Sequence, residues 1–362
     1  MIIPVIFLFV FSGNIVFSQE TGFNYTVKGQ YGLIANHHPL IRYIARDRIK
    51  AGEFCISKQL TGKKDWHIIH RFPEIGVGTY FADLGDPDLM GKAYALYGFL
   101  IKPIYRKEFF SFNYQVSAGA SWLNAPFDAE TNYFNGAIGS NVNVYFNLAY
   151  DVKFRLSDKI KLFGGIGFTH YSNGAWTKPN LGFNVITGTA GVTYNFKNNN
   201  PLLEKRNIEQ PEKLLKYELY YAVAFNEFRE LDKGKYFVSS FCGDVLKKIN
   251  RKNLIGIGID QFYIESNDGY YKGNGEPDKS DRYRTGLHFT YEIEFNRILF
   301  FANIGFYVID NKLYNGRIYD RVGIKGYMYK NLFGVVALHT HYASADFIEW
   351  GLGWTFCGKT NK

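Results

Sequence analysis

Residues 141–155 read NVNVYFNLAYDVKFR. Side chains of a strand alternate between two faces. Val142, Val144, Phe146, Leu148, Tyr150, Val152 and Phe154 therefore share one face, and Asn141, Asn143, Tyr145, Asn147, Ala149, Asp151, Lys153 and Arg155 share the other. An apolar face opposite a polar one suits a barrel strand whose outside meets lipid. A soluble barrel would turn the apolar face inward, and alternation by itself does not say which. Its length does bear on the choice: about fifteen residues is far beyond the five or six of an average soluble strand. An all-β, antiparallel transmembrane β-barrel is the fold expected.

Composition points the same way. The chain holds 28 Tyr, 33 Phe and 37 Gly among 362 residues, with 46% hydrophobic residues, as a barrel with aromatic girdles and a polar interior requires. Residues 1–18, MIIPVIFLFVFSGNIVFS, form an apolar run too short to span a bilayer. Small residues near its end predict a signal peptide cleaved before Gln19, although it opens without Lys or Arg. No Cys follows the cleavage point, so no lipoprotein anchor is expected. The three cysteines, Cys55, Cys242 and Cys357, do not form a disulfide framework and are read as packing residues. A net charge of +9 without basic runs or an aromatic RNA-binding signature excludes nucleic acid as a partner.

Further strands are expected near 25–34, 41–60, 73–82, 92–105, 108–122, 162–172, 183–196, 216–229, 236–249, 252–265, 282–295, 297–309, 319–330, 332–343 and 346–356, about sixteen in all. Residues 65–72 leave room for a short helix. Tight turns at 106–107, 157–158, 250–251 and 296–297 alternate with longer loops at 83–89, 123–139, 173–181 and 266–280. That alternation is the outer-membrane arrangement, with short periplasmic turns and long outer loops.

Residues 197–215 are polar, carry two prolines and form the one internal boundary, read as a periplasmic linker. They divide a first half, 19–196, from a second, 216–362, which echoes it. LFGGIGFTHYS at 162 is similar to LFGVVALHTHYAS at 332, and GVTYNF at 191 to GLGWTF at 351. In the second copy the Ser position is lost, and His339, His341 and Glu349 are read as structural. Two architectures follow. The linker favours two tandem eight-stranded barrels, and the commonness of one barrel per chain favours a single barrel of about sixteen strands. The single barrel is the expectation carried forward.

The stretch 162–196, LFGGIGFTHYSNGAWTKPNLGFNVITGTAGVTYNF, carries the candidate chemistry. His170 and Ser172 lie two apart on the face of Leu162, Ile166 and Phe168, and Asn184 falls on the same side of the next strand. A Ser with a His in reach is the minimum for a serine nucleophile, and a third group that orients the His completes the logic. On spacing alone, a His-x-Ser pair in a strand is two ordinary residues. No metal or cofactor is expected.

The longer pattern His170-Tyr171-Ser172-Asn173, Lys178-Pro179-Asn180 and Gly182 resembles the active-site segment of the PagL-type lipid A 3-O-deacylases, or acyloxyacyl hydrolases, of Gram-negative outer membranes. The resemblance is strong over 162–196 and weaker back to Ser140. It implies an outer-membrane esterase that removes an ester-linked acyl chain from lipid A, with lipopolysaccharide of the outer leaflet as partner. It implies His170 as base, Ser172 as nucleophile and Asn180 as an oxyanion donor. Asn173, Gly174 and the backbone amides near Gly174 and Ala175 are expected to complete the oxyanion site. The family's triad acid is a Glu, and Asn184 stands at its position. An Asn can orient the imidazole but cannot neutralise its charge. The competing readings are a non-catalytic barrel or channel and a soluble exported sandwich. Oligomeric state is left open, a homo-oligomer included.

Overall fold

The computed structural model describes residues 22–197, 203–204, 206–209, 215–229, 234–270, 278–310, 316–342 and 344–357. The predicted signal peptide, most of the 197–215 linker and the side chain of Cys357 lie outside the described residues.

The strands close into two barrels of eight, not one of sixteen. The first contains β1 (Asn24–Ile34), β2 (Ile49–Gln59), β3 (Glu74–Asp83), β4 (Lys92–Arg106), β5 (Phe110–Leu123), β6 (Val142–Arg155), β7 (Ile160–Ser172) and β8 (Phe183–Asn195). The second contains β9 (Leu215–Asn226), β10 (Tyr236–Lys248), β11 (Asn253–Ile264), β12 (Tyr283–Phe295), β13 (Ile298–Ile309), β14 (Ile318–Tyr329), β15 (Leu332–His341) and β16 (Ser344–Cys357). The single-barrel expectation fails at closure. β1 pairs with β8 in antiparallel register from Asn24↔Asn195 to Ile34↔Val185, and β16 pairs back onto β9. Side chains inside the first seam match this register. Thr26 and Thr193 hydroxyls are 2.9 Å apart, and Asn195 Nδ2 donates to Asn24 Oδ1 at 2.7 Å. Each half thus satisfies its own edges, which leaves no strand for the other half to pair with.

The alternation read from 141–155 resolves with its apolar face outward. Val142, Val144, Phe146, Tyr150 and Phe154 are exposed, whereas Asn143, Tyr145, Asn147 and Asp151 are buried in the interior. The same pattern runs round both barrels. Closure into two barrels overturns the sandwich, and a wall of exposed Val, Ile, Leu and Phe is what a lipid-facing barrel needs.

An eight-stranded barrel leaves an interior just wide enough for side chains to fill it, and both interiors are filled. In the first, Lys28 pairs with Glu53 at 2.9 Å, and Tyr97 donates to Glu53 at 2.5 Å. In the second, Arg321 bridges Asp260 and Glu349 at 2.8 Å each, and Lys325 lies 2.6 Å from both Glu218 and Glu292. His288 spans Asp244 and Asp260 at 2.7 Å each. Buried charges of this kind persist only when paired, and here the pairs occupy the space that a channel would need. Cys55 and Cys242 are buried and unpaired.

Two short helices sit on the first barrel: α1 (Pro39–Ile44) and α2 (Asp65–Ile69). The first corrects the expected strand at 41–60. Pro39 occupies the first turn, where its missing N–H is not needed, and the His38 side chain caps Leu40 N. The helix buries Ile41 and Ile44, so β2 starts only at Ile49.

Candidate active site

β7 alternates as the first barrel's wall requires. Leu162, Ile166 and Phe168 are exposed on the outer face, and Thr169 and Tyr171 are fully buried inside. His170 and Ser172 continue the outer face to the end of the strand that carries the long loops. His170 is half-buried and Ser172 is 7% exposed, because the loops beyond the strand fold over them.

Register then sets the partner of His170. β7 and β8 pair so that His170 lies directly opposite Asn184. Directly opposed side chains on one face are close enough to bond, and His170 Nδ1 lies 2.6 Å from Asn184 Oδ1. Sequence reasoning missed His37, which extends this chain from the β1–α1 loop. Asn184 Nδ2 is 3.2 Å from His37 Nδ1, and His37 Nε2 is 3.1 Å from Leu181 O. Ala35 O, an acceptor, lies 3.0 Å from the same Nδ1 and suits a proton there, whereas a His37 with its proton on Nε2, facing Leu181 O, takes the Asn184 proton at Nδ1. In that tautomer the Asn184 amide has one orientation, and its oxygen faces His170.

Ser172 is gripped by the loop that follows it. Asn180 Nδ2 donates to Ser172 Oγ at 2.9 Å, and Gly174 N donates to it at 3.1 Å. Asn180 Oδ1 in turn lies 3.0 Å from Asn173 N and 3.2 Å from Ser172 Oγ. The loop can present these donors because Gly174 (φ 63°) and Ala175 (φ 59°) adopt left-handed backbone. Gly182 (φ 77°) closes it. A Cβ there would come within 2.8 Å of the His170 ring, so that position needs glycine for space as well as for conformation.

Not every expected residue converges on the hydroxyl. The Asn173 side chain turns away, donating to Ser140 Oγ at 2.9 Å and Thr177 O at 2.8 Å. Ala175 offers its carbonyl to Glu227 N at 3.0 Å. Among the described residues no hydrogen bond joins His170 to Ser172.

In the second barrel the echoed residues go elsewhere. An irregularity in the register between His339 and Thr340 leaves both His339 and His341 buried against Asp346, with His339 Nδ1 3.1 Å from its Oδ2. No hydroxyl takes the position of Ser172 among the described residues there.

The comparisons agree with this division. The lipid A 3-O-deacylase (PagL) family model matches residues 53–193. The model of the acyloxyacyl hydrolase C-terminal domain matches residues 215–359. No curated protein matches. Among solved structures, CdiB from Acinetobacter baumannii aligns with 94% of this chain and 60% of its own, at 8% identity and a TM-score of 0.20. The Pseudomonas putida toluene transporter TodX aligns with 94% of this chain and 89% of its own, at 7% identity and a TM-score of 0.19. A mutant of the Rh. blastica porin aligns with 93% of this chain and all of its own, at 9% identity and a TM-score of 0.17. The chain thus spans 60% of the length of CdiB, and at these scores none of the three bears on function. The two family models together span most of the sequence, one on each barrel, and the chain belongs to the PagL lipid A 3-O-deacylase family of acyloxyacyl hydrolases, which are carboxylic ester hydrolases.

Proposed function

We propose that this protein resides in the outer membrane and removes an ester-linked acyl chain from lipid A by a serine–histidine mechanism. The observation that carries the reading is the 2.6 Å contact between His170 Nδ1 and Asn184 Oδ1, on the outer face and two residues from Ser172. With its proton on Nδ1, His170 keeps a lone pair on Nε2 for the serine. A rotamer change at Ser172 or His170 as substrate enters would bring base and nucleophile into contact, as catalytic hydrogen bonds often tighten only in the complex.

Ser172 Oγ then attacks the ester carbonyl, and its proton passes to His170 Nε2. The new Oγ–C bond forms as the carbonyl becomes a tetrahedral oxyanion. Asn180 Nδ2 and Gly174 N, which donate to Oγ in the resting site, are the donors that would turn to the oxyanion formed beside it. Collapse breaks the ester C–O bond, and the imidazolium returns the proton to the departing sugar oxygen. Water attacks the acyl-serine by the same route and frees the fatty acid. Ile166, Phe168 and Ile186, all exposed on this wall, supply an apolar track for the acyl chain, and the long-loop end would face the outer leaflet.

The test is acyl release from purified lipid A by wild type, Ser172→Ala and His170→Ala, followed by mass spectrometry. Loss of roughly 10³-fold or more is expected in both variants. Unchanged release by Ser172→Ala would remove the serine from the reaction.

A further inference from the structure

The loop that grips Ser172 is held from two sides. Its ends are tied to the first barrel. Asn173 bonds Ser140, Leu181 N reaches Gly136 O at 3.4 Å, and Gly182 N reaches Ala137 O at 2.9 Å. Its middle, residues 174–178, meets the second barrel at each position. A Cβ on Gly174 would lie 2.3 Å from Ile348. Ala175 O accepts from Glu227 N. The Trp176 ring packs edge-on to Phe225 and Trp350 at 6.0 and 6.2 Å.

The polar contacts converge on one ion pair. Glu227 Oε2 accepts from Lys178 N at 2.7 Å, and Lys178 Nζ donates to Phe228 O at 2.9 Å. Glu227 Oε1 lies 2.7 Å from Lys235 Nζ. That ammonium also reaches Thr177 Oγ1 at 3.1 Å and Trp176 O, and sits 5.1 Å from the Trp176 ring centroid. Glu227 is 7% exposed, so its carboxylate acts in a largely dry setting, where hydrogen bonds to a charge are strong.

We propose that the second barrel serves the reaction of the first, with Glu227 and Lys235 as positioning residues for the loop that carries Gly174 N and Asn180. This rests on the reading of Ser172 as nucleophile. Ala175 is a non-glycine residue in left-handed backbone, a conformation that persists only where its surroundings over-determine it. Glu227 meets that strained segment twice, through its own N–H at Ala175 O and through its carboxylate at Lys178 N. Two residues beyond Lys178 stands Asn180, whose amide bonds Ser172. Releasing the segment lets Gly174 N and Asn180 Nδ2 drift from the oxyanion position, and catalysis is sensitive to displacements of about 1 Å. No residue of the second barrel need touch the reacting atoms for the enzyme to depend on it.

The test uses full-length Glu227→Ala, Glu227→Gln, Lys235→Met and Ser172→Ala. Lys248→Met, which breaks the Lys248–Glu294 pair at the opposite end of the second barrel, is the control. Folding is checked by heat-modifiable gel mobility, and kcat and KM are measured for lipid A in mixed micelles. Glu227→Ala is expected to lower kcat about 10- to 30-fold, below the roughly 10²–10³-fold of removing an oxyanion donor outright. KM should stay within about twofold of wild type, since uniform binding is untouched. Glu227→Gln keeps an acceptor for Lys178 N and should recover to within about threefold of wild type. Lys235→Met, expected to lower kcat several-fold, covers the case in which Glu227→Ala does not fold. A folded Glu227→Ala with kcat within twofold of wild type, or no slower than Lys248→Met, overturns the proposal, as does a loss confined to KM. Ser172→Ala separates the two failures. Activity surviving there overturns the nucleophile and the brace together. Activity lost there but intact in Glu227→Ala overturns the brace alone.

Discussion

His170 and Asn184 face each other across β7 and β8, with Nδ1 and Oδ1 2.6 Å apart. The bond orients the imidazole as a triad acid would, but between neutral partners. Replacing a triad Asp by Asn in a serine protease is severe because the amide imposes the wrong tautomer. Here His37 Nδ1 lies 3.2 Å from Asn184 Nδ2, and with the His37 proton on Nε2 it accepts the amide proton, which keeps the oxygen towards His170. The remaining deficit is the missing charge opposite the imidazolium. A hydrogen bond to a charged group exceeds a neutral one by about 1–1.5 kcal/mol, or roughly tenfold in rate. Asn184→Asp is therefore expected to raise kcat about tenfold. His37→Ala should lower it, by freeing the Asn184 amide to turn over. Steady-state rates on lipid A decide both, and a loss on Asn184→Asp would mean the site depends on the amide.

Asn180 is the side-chain donor on Ser172. Asn180→Asp retains an oxygen for Asn173 N and removes the N–H that reaches Oγ. A fall in kcat of roughly 10²–10³-fold is expected, with KM little changed. The experiment is a kcat and KM determination beside Asn180→Ala. Equal activity in the two variants and wild type would exclude Asn180 from oxyanion stabilisation.

Period-two alternation is a local property, which is why part of this architecture is visible in the sequence. It places Val142 to Phe154 on one face of β6 and puts His170, Ser172 and Asn184 on the same side of adjacent strands. Barrel closure is not local. Val27 pairs with Val192, and nothing in either strand says that β1 should take β8 and not β16. The polar linker favours two barrels, but it is weak beside the commonness of single ones. Residues 39–44 are hidden for another reason: six residues are too few for a helical period, and Pro39 alone marks their start. The Glu227–Lys235 brace is out of reach altogether, since about 50 residues of chain separate it from the loop it touches, and ordinary loop polarity is its only trace.

Gly182 ties backbone to chemistry. Alanine there meets a left-handed φ of 77°, with its Cβ 2.8 Å from His170 Cε1 and 3.0 Å from Tyr171 O. The backbone term alone is about 1–2 kcal/mol. The His170 ring must also move, which stretches its bond to Asn184. Gly182→Ala is expected to lose activity by about 10-fold or more while the barrel still forms, since a displacement of about 1 Å is that costly to catalysis. Gel mobility and lipid A turnover, measured on one preparation, check both halves of the claim.

Lys325 tests what fills the second barrel. It lies 2.6 Å from Glu218 and Glu292 and 3.5 Å from Asp244. Lys325→Met would leave three buried carboxylates without their common cation, and breaking such a site typically costs about 3–5 kcal/mol. Replacing Glu218 and Glu292 by Gln in the same chain should restore part of the loss. Denaturant unfolding in detergent micelles measures it, and an unchanged midpoint for Lys325→Met would show that water reaches this interior.

At the short-turn end, α2 sets a pH dependence. His67 and His70 are buried there, and burial pushes each down to about 4. His70 stacks on Phe295 at 3.8 Å and places Nε2 2.8 Å from Glu294 O, so it fastens one barrel to the other. The Nδ1 atoms of His67 and His70 are buried without a hydrogen-bond partner, so a proton added there would have nothing to bond. The sign follows from which state takes protons. Above pH about 6.5 both folded and unfolded chains hold these imidazoles neutral, and they contribute no slope. From about 6.5 down to 4 the unfolded chain takes protons that the folded one refuses, so stability falls as pH falls. Below about 4 the folded chain also takes them up, and the decline from these two groups stops. Trp66 packs 4.5 Å from His67, so its fluorescence is a local reporter once Trp122, Trp176, Trp350 and Trp354 are replaced by Phe. The unfolding midpoint in detergent should drop between pH about 6.5 and about 4 with a matching change in Trp66 emission. His70→Gln, which cannot take up a proton, should flatten that slope, and a slope identical to wild type would place the pH sensitivity elsewhere.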